Sequence, residues 1–245
     1  YLYCIDYFVK IMNEKNSLGL NKCFLDLDNP FELFQRWFEE AKKKEINDPN
    51  ALALGTANKE GIPSVRMVLL KGHSEKGFVF YTNLNSQKGN EIKENPNATM
   101  CFHWKSLLRQ IRIVGTLKQV DDQTADEYYN SRAYDSRIGA WASKQSSILQ
   151  NRDELLDALE NYKKKYNDKD NVPRPSHWSG WNLTPSTIEF WLDGDNRIHE
   201  RLKYSLDKNG WYWIPGLDLG LLHPKDQYYC CRDSISEGWY WIPGL

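Results

Sequence analysis

Ala51-Leu52-Ala53-Leu54-Gly55-Thr56-Ala57, the polar break Asn58-Lys59-Glu60-Gly61, and Ser64-Val65-Arg66-Met67-Val68-Leu69-Leu70-Lys71 place two β-type runs on either side of a short turn. Similar runs follow at residues 77–82, 98–104 and 109–120, each bounded by turn-forming residues. Successive strands with short connections predict an antiparallel meander or barrel. Upstream, Phe31, Leu33, Phe34, Trp37, Phe38 and Ala41 recur at three-and-four spacing from Pro30 on, which predicts a helix capped by Asp28 or Asn29. Further helical stretches are expected near 86–94, 122–131 and 151–166, and β-type sequence returns over 178–201. The fold class is therefore mainly β with peripheral helices, an α+β arrangement.

Composition narrows the function classes. A chain of 245 residues with 40% hydrophobic residues suits one domain with extensions. Lys and Arg total 32 against 33 Asp and Glu, so the net charge of −1 argues against nucleic acid or an acidic membrane as the main partner. Anion recognition has to come from local clusters. The five cysteines, Cys4, Cys23, Cys101, Cys230 and Cys231, are odd in number and lack metal-ligand spacing, so neither a disulfide framework nor a metal site is expected. A reducing, cytoplasmic setting follows as the expectation. The opening run 1–12 carries Asp6 and Lys10 and is too short to span a bilayer.

Three segments are expected: an N-terminal extension over 1–29, a main domain over 30–217, and an atypical C-terminal extension over 218–245. Gly-Trp-Tyr-Trp-Ile-Pro-Gly-Leu stands at 210–217 and recurs unchanged at 238–245. Two copies do not build a solenoid, so one copy is expected to complete the domain.

Several clusters suit phosphate. Arg66 and Lys71 sit in an otherwise apolar run, and their five-residue separation puts them on opposite faces of a regular strand. Tyr81-Thr82-Asn83-Leu84-Asn85-Ser86-Gln87-Lys88 passes from strand to helix, with Ser86 as N-cap, free backbone N–H groups and Lys88 nearby. Tyr128, Arg132 and Ser136 are spaced to share one stripe of a continuing helix. Gly139 to Ser147 is rich in amides and hydroxyls beside Trp141, suited to the edge of a planar heterocycle. Finally, if Arg197-Ile198-His199-Glu200-Arg201 is a strand, Arg197, His199 and Arg201 share a face over roughly 13 Å. That face asks for an anion.

In order and spacing these segments, together with Arg109-Gln110-Ile111-Arg112 and Ile188-Glu189-Phe190-Trp191, resemble pyridoxamine 5′-phosphate oxidase over about residues 30–213. The resemblance implies an FMN-binding split β-barrel acting as a homodimer, with FMN sites at the subunit interface. It implies FMN against Arg66, Met67, Val68, Leu69, Leu70 and Lys71, beside Tyr81 and Thr82, with Lys88 on its phosphate. Gln110, Gln145, Ser146, Trp191 and Arg201 would complete that site. The substrate phosphate would meet Lys71, Tyr128, Arg132 and Ser136, while Arg197 and His199 would hold the pyridine ring over the flavin as the catalytic pair.

The implied reaction oxidises pyridoxamine 5′-phosphate or pyridoxine 5′-phosphate with O2 to pyridoxal 5′-phosphate, releasing hydrogen peroxide, and ammonia from the amine. Two positions depart from the family pattern. Gln87 stands where an Arg usually precedes the Lys, which is expected to weaken FMN by about 1–3 kcal/mol. The run Trp211 to Leu217 replaces the usual Arg-Leu-x-Pro ending. An alternative is a noncatalytic split-barrel carrier of FMN or pyridoxal phosphate, although such a carrier of FMN needs no second phosphate site. A nicotinamide-using flavin reductase is a third reading, which competition with NADPH would expose.

Overall fold

The computed structural model describes residues 20–25 and 27–218, side chains from 214 on excepted. Most of the N-terminal extension, and the second Gly-Trp-Tyr-Trp-Ile-Pro-Gly-Leu copy, lie outside the described residues. The elements run α1 (Pro30–Lys44), β1 (Ala51–Ala57), β2 (Pro63–Leu69), β3 (Gly72–Ser74), β4 (Gly77–Asn83), α2 (Gln87–Glu94), β5 (Asn97–Trp104) and β6 (Arg109–Gln119). They continue as α3 (Asp122–Asn130), α4 (Tyr134–Ala142), α5 (Arg152–Lys165), β7 (Trp178–Leu192), β8 (His199–Asp207) and β9 (Gly210–Asp218). The hydrogen-bonded strand order is β2-β1-β5-β6-β7-β4-β3, with β8 paired to β7 and β9 to β8. The class is mainly β with helices, as expected, but the order is not a simple meander, because β4 and β6 both pair with the distant β7. Among the described residues no helix is long and apolar enough to cross a membrane.

Packing divides the chain into two compact units. Among the described residues, one comprises those up to Leu52, Met100–Val114 and those from Pro185 on; the other comprises Ala53–Thr99 and Gly115–Thr184. Sequence alone treats 30–217 as one block, because strands that run through both units carry no composition shift at the division.

The first unit is organised by α1. Asn29 accepts a hydrogen bond from the Phe31 N–H at 2.9 Å, Pro30 opens the helix, and Lys42, Lys43 and Lys44 sit at its negative end. The expected apolar stripe is buried in full. Phe34 packs on Phe102 and Trp104, and Trp37 meets the edge of Phe190 at 5.2 Å between centroids. Arg109 lies over the Trp37 ring at 4.6 Å while pairing with Glu40 at 2.8 Å. Its charge is thereby covered on both sides. In the same unit β8 pairs antiparallel with β7, setting Trp191 opposite Arg201, and β9 pairs with β8.

In the second unit β4 is the pivot. It pairs antiparallel with β7 so that Tyr81 lies opposite Gly180, and with the short β3, which the sequence reading missed. Gly180 is required there: a Cβ on it would meet the Tyr81 ring at 2.7 Å. β2 occupies one end of the strand order with Val65, Met67 and Leu69 on its exposed face.

Phe190 is fully buried between Trp37 and Tyr204. Replacing it with Ala should cost about 3–5 kcal/mol, because the rigid aromatic surround leaves a cavity. Urea unfolding of Phe190→Ala against the parent chain checks this.

Candidate active site

One cavity of about 740 Å³ lies within the second unit, in the size range of cofactor and substrate sites. It is lined by Arg66, Met67, Val68, Leu69 and Lys71 from the β2 end, by Tyr81, Thr82 and Lys88 from the β4–α2 junction, and by Gln145 and Ser146. Tyr128, Arg132 and Ser136 complete the assigned part of the wall. Thirteen side chains picked from sequence thus meet at one place. Leu70 does not line it but is buried, and Ser64, Val65, Ala133 and Trp178 line it without having been assigned.

Arg66 and Lys71 reach the same cavity despite their odd spacing. The strand ends at Leu69, so side-chain alternation stops before Lys71, whose N–H bonds to the Val79 carbonyl at 2.8 Å. Arg66 is held tightly. Its guanidinium donates to the Leu54 carbonyl at 3.1 Å, to the Thr56 and Ser64 hydroxyls, and to the Glu91 carboxylate at 3.1 Å. Glu91 also accepts from Thr56, Ser64 and Gln87. Burial pushes the Glu91 carboxyl up, but those hydrogen bonds and the Arg66 charge outweigh it and bring it down to about 2. Arg66 therefore faces the cavity already neutralised. Gln87 faces it while donating to Glu91 at 2.9 Å, so the position that departs from the family pattern is engaged locally.

Lys88 is different. It is buried, and its ammonium donates to Gln145 Oε1 at 2.9 Å, Thr82 Oγ1 at 3.1 Å and Ser86 Oγ at 3.4 Å, all neutral oxygens. Among the described residues no carboxylate lies within ion-pair distance of it. Desolvation, then repulsion from Arg66, lowers its pKa below that of an ordinary lysine. Ser86 caps α2 by accepting from the Gly89 N–H. A buried cation at a helix N-terminus, surrounded by hydroxyls and an amide, suits a phosphate monoester.

The opposite wall is an aromatic column. Tyr81 stacks on Tyr128 at 4.0 Å and on Trp178 at 5.3 Å, and the Arg132 guanidinium lies over Trp178 at 4.7 Å. Arg132 Nη1 is buried with no hydrogen-bond partner. Arg174 fixes this wall by binding Asp122 and Asp126, one turn apart on α3, and the Trp178 carbonyl. The helix expected over 122–131 is α3, which stops at Asn130; it does not continue through Arg132 and Ser136, because α4 starts anew at Tyr134. The break places a helix start on the cavity wall. Ala133 at the N-cap offers no side-chain bond, so the free N–H groups of α4 add to the donors beside Arg132 and Ser136. An uncapped helix start is the sequence signal that was overlooked.

Gln110, Trp191, Arg197, His199 and Arg201 belong to the first unit. The expected strand through residues 197–201 begins only at His199, because Asp195–Arg197 forms a 3-10 turn. Arg197 accordingly does not share a strand face with His199 and Arg201. Within that unit His199 packs on Trp191 at 4.7 Å, and Arg201 pairs with Glu189 at 3.7 Å.

Comparison with known proteins identifies the family and the fold. Residues 38–166 match the family model described as pyridoxamine 5′-phosphate oxidase, and residues 178–213 match that of the pyridoxine 5′-phosphate oxidase C-terminal dimerisation region. A pyridoxine/pyridoxamine 5′-phosphate oxidase of Pelagibacter ubique is 66% identical over 206 residues, covering 84% of this chain and 99% of the relative. One from Allorhizobium ampelinum is 52% identical over 190 residues, covering 78% and 92%. The crystal structure of PhzG from Burkholderia lata, in complex with tetrahydrophenazine-1-carboxylic acid, superposes with a TM-score of 0.76 at 28% identity, covering 81% of this chain and 97% of that one. An FMN-binding protein of Nostoc punctiforme shares the fold at a TM-score of 0.61 and 16% identity, covering 76% and 97%. The fold is the split β-barrel expected from the sequence, and the chain belongs to the pyridoxamine 5′-phosphate oxidase family.

Proposed function

We propose that this chain binds FMN and oxidises pyridoxamine 5′-phosphate and pyridoxine 5′-phosphate to pyridoxal 5′-phosphate, with O2 as the final acceptor. The observation that carries this reading is the presence of two separate anion-seeking clusters on one cavity. Lys88, with Thr82, Ser86 and Gln145 around it, suits the cofactor phosphate. Arg132, with an unpartnered buried Nη1, suits the substrate phosphate together with Lys71, Tyr128, Ser136 and the open start of α4. A carrier of FMN alone has no use for the second cluster.

When bound, FMN supplies the acceptor for a hydride equivalent from C4′. The chain supplies position and charge. Fixing the substrate phosphate at Arg132 and Ser136 restricts the pyridine ring, and such orientation is worth several powers of ten in rate. Tyr128 is itself braced by stacking on Tyr81. By the family resemblance we assign Arg197 and His199 to contacts with the pyridine ring, and Gln110, Trp191 and Arg201 to contacts with the cofactor.

A homodimer fits this reading. Val65 and Met67 are 70% and 65% exposed on an end strand, an apolar edge that invites cover by a second chain. We assign the interface FMN sites to residues from both copies. The free thiols of Cys23 and Cys101 suit a reducing cytoplasm.

Anaerobic mixing of the FMN-loaded protein with pyridoxine 5′-phosphate should bleach the flavin absorbance, and oxygen should restore it with pyridoxal phosphate formed. Bound flavin that never bleaches would return the carrier reading. Arg197→Ala should leave FMN affinity unchanged and lower turnover at least about a hundredfold; an unchanged rate removes Arg197 from the site. Lys88→Met should weaken FMN binding while making the cofactor-free protein more stable. The sign follows from its lowered pKa: the charged form is penalised by burial, so the penalty is present below that pKa and fades as pH rises towards an ordinary lysine's. FMN affinity of the parent chain should accordingly fall over the same alkaline range, as fluorescence titration would show.

A further inference from the structure

The turn between β7 and β8 is unusually constrained. A Cβ on Gly194 would sit 1.8 Å from the Ile198 carbonyl oxygen, so only glycine fits. Asn196 and Arg197 follow in the left-handed region, with φ of 57° and 66°. The Ile198 N–H closes onto the Asp195 carbonyl at 3.1 Å, and the Asp193 N–H is tied to the Leu108 carbonyl at 2.9 Å. The result of this tight return is that residue 193 faces residue 199. Asp193 Oδ1 lies 2.9 Å from His199 Nδ1, while the Trp191 ring covers the imidazole at 4.7 Å. The His199 side chain is 17% exposed.

A second group approaches the same nitrogen. The Gly194 N–H is 3.3 Å from His199 Nδ1, a contact that needs a lone pair there, whereas the Asp193 contact needs a proton. The carboxylate contact is shorter and charge-assisted, and so prevails. Nδ1 then carries the proton, and the lone pair of neutral His199 resides on Nε2.

We propose that Asp193 is a positioning residue that holds the proton on His199 Nδ1 and presents Nε2 to the substrate as a hydrogen-bond acceptor. The substrate half of this rests on the function proposed above. An acceptor matches both substrates, since a C4′ hydroxyl and a C4′ amino group each carry a hydrogen to donate. The aldehyde product carries none on its oxygen, so the same arrangement favours substrate over product.

The test uses FMN-loaded protein labelled with ¹⁵N-histidine at a fixed alkaline pH, with His199 assigned by the signal lost in His199→Gln. Two-bond ¹H–¹⁵N correlations should show the Nδ1–H tautomer in the parent chain. In Asp193→Ala the Gly194 N–H becomes the sole partner of Nδ1, so the tautomer should switch to Nε2–H. The same variant should lose about tenfold in kcat/KM, the worth of one hydrogen bond, with FMN affinity unchanged, and Asp193→Glu should recover part of the loss. An Nε2–H tautomer in the parent chain, or the same tautomer in both proteins, overturns the proposal. A switched tautomer with unchanged kcat/KM overturns its substrate-facing half. A parent chain that shows Nδ1–H yet oxidises neither substrate supports the Asp193–His199 pair and sinks the oxidase reading instead.

Discussion

A buried ammonium with only neutral oxygens for company is the constraint on which the site depends. Lys88 is desolvated by its position at the β4–α2 junction and receives lone pairs from Thr82, Ser86 and Gln145, while among the described residues no carboxylate is within ion-pair distance and Glu91 offsets its charge only in part. Folding around such a group is unfavourable unless an anion arrives, so the local structure is arranged for binding and at the expense of the empty state. Much of the neighbourhood serves that arrangement. Asn83 accepts from the Asn85 N–H and donates to the Ser143 carbonyl, joining the start of α2 to the segment that carries Gln145. Gly89 lets the helix approach the Leu84 carbonyl so closely that a Cβ would sit 2.4 Å from it.

Arg66 shows the opposite solution to the same problem. Glu91, Thr56, Ser64 and the Leu54 carbonyl satisfy it within the chain, so it offers geometry more than net charge. The division of labour explains how Gln87 is tolerated in place of a cation. It joins the Glu91 network, and the buried cation outside that network is Lys88. On the other wall Arg132 rests on an aromatic face, which covers its apolar plane and leaves Nη1 buried without a hydrogen-bond partner.

Much of this was legible in sequence. The three-and-four stripe of α1, the alternation of β1, the Ser86 cap and the residues of the β2 run each follow from local periodicity or capping chemistry, which act within a few residues. What escaped depended on where elements stop. Lys71 joins Arg66 because β2 ends two residues before it, and Arg132 is freed because α3 breaks ahead of α4. Trp178, the centre of the aromatic column, lay in a run read only as β-type. Its partners Tyr81 and Tyr128 are distant in the chain and meet it through the β4–β7 register and the Arg174 clamp on α3.

The sequence by itself determined the fold class, the family and the residue types able to hold two phosphates, because motif order and hydrophobic period are one-dimensional properties. Tertiary structure decided which cations are spent inside the chain and which remain for a ligand. It also decided that His199 has a carboxylate partner at Asp193. Those outcomes depend on pairings such as Arg66 with Glu91, made across intervening elements, and on a turn that only Gly194 permits, so no local pattern encodes them.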